Sequence, residues 1–238
     1  EFDWIRSVFS KSERENYLTM DRKGRAYPLS ENHRRNLLSG LKKWEEKMSN
    51  VGVIDPPGRT MALLDHLNKI KPIYRSIIVD EAQDFGTTEL LVLRALVDKN
   101  ENDFFFCGDG AQQVQAKQQN FSTAGISFTG RSFKLQKNYR NSKEILEIAH
   151  QVLLENLSDE HFDLSELEIS DPEFATRSSP KPVILKANSL ELELAAAIQL
   201  MKDNEDVYRN SKSPHTGCIA LAGYSLFEIE EFGKKIGL

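Results

Sequence analysis

The chain has 238 residues, of which 39% are apolar and 28% are charged, so it can bury a core in one large domain or two small ones. No apolar stretch reaches the roughly 18 to 20 residues that a membrane span needs, and the first residues lack the pattern of a signal peptide, so a cytoplasmic protein without membrane segments is expected. Its two cysteines, Cys107 and Cys218, are expected to be reduced, packed thiols, and no Cys/His spacing indicates a zinc site.

The net charge of −5 is unevenly distributed along the chain. Residues 1–48 carry 11 Lys and Arg against 8 Asp and Glu, whereas no Lys or Arg occurs between Lys143 and Arg177, where acidic residues accumulate. Because that acidic stretch would repel a polyanion, any path for a nucleic acid is expected to avoid it.

The predicted elements begin with a mainly helical N-terminal segment, residues 1–58, in which basic and aromatic residues interleave and a helix is expected around 34–48. From Met61 onward, short apolar runs alternate with helical periodicity, which is typical of βαβ units and a mostly parallel sheet. The pattern predicts strands at 76–79, 104–107 and 132–136, and helices at 88–97 and after residue 141. It therefore predicts an α/β fold.

The helix ends and the last third of the chain complete this prediction. Thr87 or Thr88 is predicted to cap the first of these helices, and Asn141 with Glu144 is predicted to form a capping box for the second. Beyond the prolines at 180 and 182, a new pattern predicts strands at 183–186 and 218–222 and helices at 190–201 and 226–236.

Acidic residues follow two of the predicted strands where each strand ends. Asp80 and Glu81 come after the first strand, and Asp109 follows the second, with Gln112 three residues later. Ligands of parallel sheets bind beyond the carboxyl ends of the strands, so these residues are expected to lie at one site. A carboxylate pair suits Mg²⁺-dependent phosphoryl transfer, with Asp80 holding the metal and Glu81 acting as the base. Gln112 would sense the phosphate or the water.

Tyr139 and Arg140 lie between a predicted strand and a predicted helix. A guanidinium can stabilise charge on a transferred phosphoryl group, and a phenol ring beside it can stack on adenine. Taken singly, an Asp-Glu pair is more often a solvated turn and Tyr-Arg is more often surface. Their order on successive strand ends favours the functional interpretation.

Three segments of the sequence resemble the UvrD/Rep-like DNA helicases of superfamily 1. VDEAQD at 79–84, FFFCGDGAQQV at 104–114 and LQKNYRNSKEI at 135–145 are similar to motifs II, III and IV of that family. The resemblance implies part of a first RecA-like ATPase domain at 59–140 and the start of a second RecA-like domain at 141–238. Residues 1–58 resemble, less specifically, part of the helical subdomain inserted in the first domain.

This resemblance also implies an activity and a set of site residues. It implies an ATP-dependent helicase or translocase acting on single-stranded or duplex DNA, with ATP and Mg²⁺ as cofactors. The implied metal residues are Asp80 and Glu81, and the nucleotide-binding residues implied are Gln112, Asp109, Tyr139 and Arg140.

The family's phosphate-binding loop has no counterpart in these 238 residues. The nearest match to G-x-x-x-x-G-K-[ST] is GVIDPPGRT at 52–60, where Pro56 and Pro57 remove two of the N–H donors that such a loop needs. We therefore expect an internal part of a longer helicase that does not hydrolyse ATP by itself. The motif III region also lacks the family's Tyr-Arg-Trp residues, because Gln115, Ala116 and Lys117 stand there.

Contacts with DNA are also predicted. Lys117 can meet a phosphate, and Arg22 and Arg25 lie in the basic N-terminal segment, although a mixed charge run is more often a solvated face. Two other functions remain open. One is a catalytically inactive helicase-like module that binds DNA or a protein, and the other is a metal-dependent nuclease that uses Asp80, Glu81 and Asp109.

Overall fold

The structure is a computed structural model that describes residues 1–22, 27–112, 117–135, 137–156, 173, 175–184, 186–203 and 225–235. It divides into two compact units, Glu1–Pro180 and Lys181–Leu238. None of the described helices has both the length and the apolar character needed to cross a membrane.

The first unit contains helices and a small parallel sheet. Its α-helices are α1 (Phe2–Val8), α2 (Glu31–Asn50), α3 (Pro56–Leu67), α4 (Thr87–Leu96) and α5 (Lys143–Asn156). Its strands are β1 (Ile77–Val79) and β2 (Phe104–Phe106), and short 3₁₀ helices cover Lys11–Leu18, Ala82–Asp84 and Gly110–Gln112. The described part of the second unit contains α6 (Leu190–Asp203) and α7 (Leu226–Lys235).

The predicted βαβ arrangement is confirmed for the segment from β1 to β2. The two strands pair in parallel, with Ile77 opposite Phe104 and Val79 opposite Phe106, and α4 connects them. The phenylalanines of β2 at 104 and 106 pack with Leu90 of α4 and with the loop residues Phe121 and Phe128. This aromatic cluster covers one face of the sheet. On the other face the side chains of Ile78 and Phe105 are exposed to 78% and 63%.

A second core lies in the N-terminal region, which is helical as predicted. Trp4, Ile5, Tyr17 and Leu41 bury their side chains together. Thr88 of α4 donates a hydrogen bond from Oγ1 to the carbonyl of Arg6 at 3.1 Å, and α1 also contacts α3. The N-terminal helices therefore pack directly on the elements that flank the sheet.

Two predicted strands are wrong. Residues 132–135 are irregular, and the side chains of Phe133 and Leu135 are almost fully exposed, because no neighbouring segment pairs with them among the described residues. Nearby, Asn138 forms an isolated parallel bridge with Ala175. The described residues of 183–186 are also irregular, and the strand predicted at 218–222 lies outside the described residues.

Both predicted helix caps are wrong as well, although the helices exist. Gly86 caps α4, with Glu89 accepting from its N–H at 2.7 Å, while the Thr87 hydroxyl donates to the Gln118 carbonyl at 3.0 Å. At α5, the cap is Ser142, whose Oγ accepts from the Ile145 N–H at 3.4 Å. The predicted capping side chains of Thr87 and Glu144 instead bond to residues far along the chain. Glu144 accepts from the Ser179 N–H at 2.8 Å.

The proline-containing segment at 52–60 begins α3. Asp55 is its N-cap and accepts from the Gly58 N–H at 3.0 Å, and two prolines occupy the first helical positions. Since proline is well suited to the first turn of a helix, this segment has a structural explanation that involves no phosphate.

Among the described residues of the first unit, Arg6 is the most deeply buried charge, with a side chain 2% exposed. Its guanidinium makes two hydrogen bonds to Asp55, at 2.5 and 2.8 Å, and its Nε forms an ion pair with Glu45 at 3.1 Å. The guanidinium also lies 5.0 Å from the centre of the Trp44 ring. These contacts join α1, α2 and the start of α3.

Replacing Arg6 by Met should therefore lower the free energy of unfolding by about 3 to 5 kcal/mol, because two carboxylates would lose a buried partner. The matched control is Arg35→Met, which breaks an exposed pair with Glu31 on α2 and should cost about 0.5 kcal/mol or less. Urea denaturation of both variants measures the difference, and equal losses would show that the Arg6 pair contributes no more than a surface pair.

Candidate active site

The end of β1 turns sharply at the predicted carboxylate pair. Glu81 has φ +50° and ψ +47°, in the left-handed region, and directly follows Asp80. This turn ends the alternation of side chains along the strand. A left-handed conformation is disfavoured for a residue with a side chain, so contacts around the turn must hold it.

The parallel pairing continues just past the two strands. The Cys107 N–H donates to the Val79 carbonyl, and the Ala82 N–H donates to the Cys107 carbonyl, both at 2.9 Å. The residues after β1 and after β2 are therefore held side by side. This arrangement brings Asp80, Glu81 and Asp109 to the same edge of the sheet, as the sequence predicted.

Asp80 is exposed, and one of its carboxylate oxygens is already bonded. Oδ1 accepts from the Cys107 thiol at 3.2 Å and from the Glu81 N–H at 2.9 Å. These two hydrogen bonds lower the pKa of the Asp80 carboxyl, and the bond from the thiol has the larger effect, so the group stays ionised. The prediction that Cys107 is packed is wrong. The residue is exposed, because it lies beyond the end of β2 and not within the strand.

Gln83 connects the two strand ends. Its Nε2 donates to Glu81 Oε2 at 2.7 Å, and its Oε1 accepts from the Asp109 N–H at 3.0 Å. The side chain is only 7% exposed. Sequence reasoning assigned it no role, although a neutral amide within the acidic run 80–84 was a visible signal.

Asp109 organises its own loop. Its Oδ1 accepts from the Ala111 N–H at 3.0 Å, and its Oδ2 accepts from Gln112 Nε2 at 2.8 Å. Gln112 is thus held close to the carboxyl end of β2. Each oxygen of Asp109 therefore accepts one hydrogen bond within its own loop.

The carboxylate oxygens of Asp80 and Glu81 are the donor type that Mg²⁺ prefers. Across the described part of the chain, no group of three or more His, Cys, Asp or Glu side chains gathers to hold a metal ion. The pair therefore fits a Mg²⁺ ion that takes its remaining ligands from water and phosphate oxygens, and does not fit an all-protein metal site.

Tyr139 and Arg140 lie in an irregular segment before α5 and expose their side chains. Asn138 shapes this segment by accepting from the N–H groups of Arg140 and Asn141 at 3.0 and 2.9 Å. Among the described residues, neither the phenol nor the guanidinium contacts Asp80 or Glu81. Both side chains are thus presented to solvent.

The cations predicted to meet DNA have protein partners. Lys117 Nζ binds both carboxylate oxygens of Glu89, the nearer at 2.9 Å, and donates to the Asp84 carbonyl at 2.9 Å. Arg22 forms a two-point contact with Glu1 at 3.0 and 2.9 Å. Arg25 lies outside the described residues. For Lys117 and Arg22, a DNA contact would have to compete with these ion pairs.

Gly108 is required by the close approach of the two strand ends. A Cβ at this position would lie 2.5 Å from Gln83 Oε1 and 2.9 Å from the Ala82 nitrogen. We expect Gly108→Ala to lower the free energy of unfolding by about 1 to 3 kcal/mol, since the Gln83 side chain or the turn must move.

Thermal or urea unfolding of the chain measures this effect. Gly110→Ala is the matched control, because a Cβ there meets nothing within 4 Å. Its stability should change by no more than about 0.5 kcal/mol. If Gly108→Ala were as stable as the control, the close packing of the two strand ends would be contradicted.

Part of the chain is also similar in sequence to a known protein. Over 139 residues the chain is 30% identical to a probable DNA helicase II homolog of Mycoplasma genitalium. This part of the chain is therefore helicase-like in sequence. The alignment covers 53% of this chain but 19% of the helicase homolog, so the chain spans about a fifth of the length of that relative. No protein-family model matches the chain.

Proposed function

We propose that the chain is part of an ATP-dependent DNA helicase or translocase that couples Mg-ATP hydrolysis to movement on single-stranded DNA. The proposal rests chiefly on one observation, namely that the residues after two adjacent parallel strands, Asp80–Glu81 and Asp109–Gln112, are joined at one sheet edge. The partial similarity to a DNA helicase II homolog supports it.

The proposed domain organisation follows the sequence resemblance. Residues 59–140 would belong to a first RecA-like domain and residues 141–238 to the start of a second, with residues 1–58 in an inserted helical subdomain. The parallel β1–α4–β2 unit is consistent with the first of these assignments.

In this proposal Asp80 and Glu81 have different roles at the site of the metal and the attacking water. Mg²⁺ held there would neutralise charge on the phosphates of ATP. Asp80 offers the carboxylate oxygen that the Cys107 thiol and the Glu81 N–H leave free. Glu81 would orient the attacking water and accept its proton, and it offers Oε1 for this because Oε2 is bonded to Gln83.

Three further residues complete the proposed nucleotide site. Gln112 would report the state of the γ-phosphate, and its link to Asp109 places it at the end of β2. Tyr139 would stack on the adenine, and Arg140 would stabilise charge on the transferred phosphoryl group. The exposure of these last two side chains is consistent with a ligand-contacting role.

We also propose contacts with DNA. Lys117, Arg22 and Arg25 are the cations proposed to meet the phosphate backbone, and the first two would exchange a carboxylate partner for a phosphate.

A catalytically inactive helicase-like module that binds DNA or a protein is the second candidate function. The observation that favours it is that the closest match to a phosphate-binding loop in these residues, the segment at 52–60, instead begins α3. Under this alternative the full-length protein would bind DNA without turning over ATP.

Strand displacement by the full-length protein separates the two candidates. We expect release of a labelled strand from a partial duplex in the presence of ATP and Mg²⁺, and none with a non-hydrolysable ATP analogue. Tight DNA binding with neither strand release nor ATP hydrolysis would favour the inactive module.

A further inference from the structure

The side chain of Gln83 is buried between the two functional strand ends, and its orientation is chemically determined. Glu81 presents a carboxylate, which can only accept, so the NH₂ group must face it; the Asp109 backbone presents an N–H, so the carbonyl oxygen must face that. Both groups of the amide are therefore used, and an exchange of its nitrogen and oxygen would break both hydrogen bonds.

Its surroundings leave Gln83 little freedom to adopt another position. Gly108 packs against it so closely that no side chain fits there. The turn that carries Gln83 is also held by Gln119, whose Nε2 donates to the carbonyls of Ala82 at 2.5 Å and Phe85 at 3.2 Å.

Glu81, in contrast, is exposed and sits on a left-handed turn. An exposed glutamate samples several rotamers unless a contact selects one. Among the described residues its side chain accepts a hydrogen bond from Gln83, and the Asp80 carboxylate accepts from its backbone N–H. The direction of the Glu81 carboxylate thus depends on a residue that is itself bound to the loop after β2.

We propose that Gln83 is a positioning residue that fixes the carboxylate of Glu81 and ties it to the backbone of Asp109. A displacement of the loop 108–112 would then change the direction of the Glu81 carboxylate through the Gln83 side chain. In this role Gln83 would act through Glu81 and not directly on the water or the phosphate. This inference rests on the proposed function, because it assigns Gln83 its role through the proposed base.

The test compares two glutamine substitutions in the full-length protein. Gln83→Met keeps the size of the side chain and removes both hydrogen bonds, and we expect kcat for ATP hydrolysis to fall about 10- to 100-fold. KM for ATP should stay within about threefold, because Gln83 makes no hydrogen bond to Asp80, the carboxylate proposed to hold the metal of Mg-ATP. Gln119→Met is the control: it loosens the same turn without touching Glu81, so its kcat should stay within about threefold of the wild type.

A second measurement does not depend on turnover. Hydrogen exchange followed by mass spectrometry reports the peptide 104–112, which contains the Asp109 amide that Gln83 binds. We expect faster exchange of this peptide in Gln83→Met than in the wild type or in Gln119→Met.

The outcomes separate the inference from the proposed function. Equal losses of kcat in both variants, or a Gln83→Met enzyme as fast as the wild type, would overturn the positioning role while leaving the ATPase intact. A wild-type protein without ATPase activity would overturn the proposed function instead, and unchanged exchange of the peptide 104–112 in Gln83→Met would then overturn the bridge as well.

Discussion

The Glu81→Gln variant of the full-length protein is expected to bind Mg-ATP like the wild type but to hydrolyse it about 10² to 10⁴ times more slowly. The substitution keeps the size of the side chain at the left-handed turn after β1. It removes the carboxylate that would accept a proton from the attacking water. Steady-state ATP hydrolysis in the presence of single-stranded DNA, together with equilibrium nucleotide binding, separates the loss of chemistry from a loss of affinity.

Glu147→Gln provides the control, since it neutralises an exposed carboxylate on α5. Its turnover should match that of the wild type. Unchanged turnover in Glu81→Gln would exclude this residue as the base, and parallel losses in both variants would indicate a general effect of charge.

The Arg140→Ala variant should lose about 10³- to 10⁵-fold in kcat, the effect typical of a guanidinium that stabilises a transferred phosphoryl group. Arg140→Lys should recover only part of this loss, because an ammonium cannot make the two-point contact of the planar guanidinium. Both variants should unfold within about 0.5 kcal/mol of the wild type, since the Arg140 side chain is exposed.

Measuring kcat and the unfolding free energy together decides the role of Arg140. A large loss of stability would assign it to the fold. Full activity of Arg140→Ala would remove it from the proposed nucleotide site and leave the segment 139–140 without a catalytic role.

The central part of the fold could be predicted from the sequence because its determinants are local. The β-branched run at 77–79 and the phenylalanines at 104–106 favour strands, and the amphipathic segment between them favours a helix. Once these three elements form a βαβ unit, the positions of Asp80, Glu81 and Asp109 at one sheet edge follow from parallel pairing.

The incorrect predictions concern features that depend on distant partners. Residues 132–135 have an apolar alternation suited to a strand, but a strand needs a neighbour to pair with, and sequence alone does not reveal one. The caps failed for a similar reason, because Thr87 bonds to Gln118 and Glu144 bonds to Ser179, both far along the chain.

The sequence marks Gln83 as an amide within the acidic run 80–84, but it does not identify the partners of that amide. Its two hydrogen bonds join positions 81 and 109, and whether a buried amide finds both a donor and an acceptor depends on how closely β1 and β2 approach. Gly108 permits that approach, which explains why a residue without a side chain follows β2 by two positions.

ATP hydrolysis by the purified full-length protein, measured with and without single-stranded DNA, tests the central claim most directly. The proposed function predicts Mg²⁺-dependent hydrolysis that single-stranded DNA accelerates. A folded protein that binds single-stranded DNA but hydrolyses no ATP in either condition would contradict it.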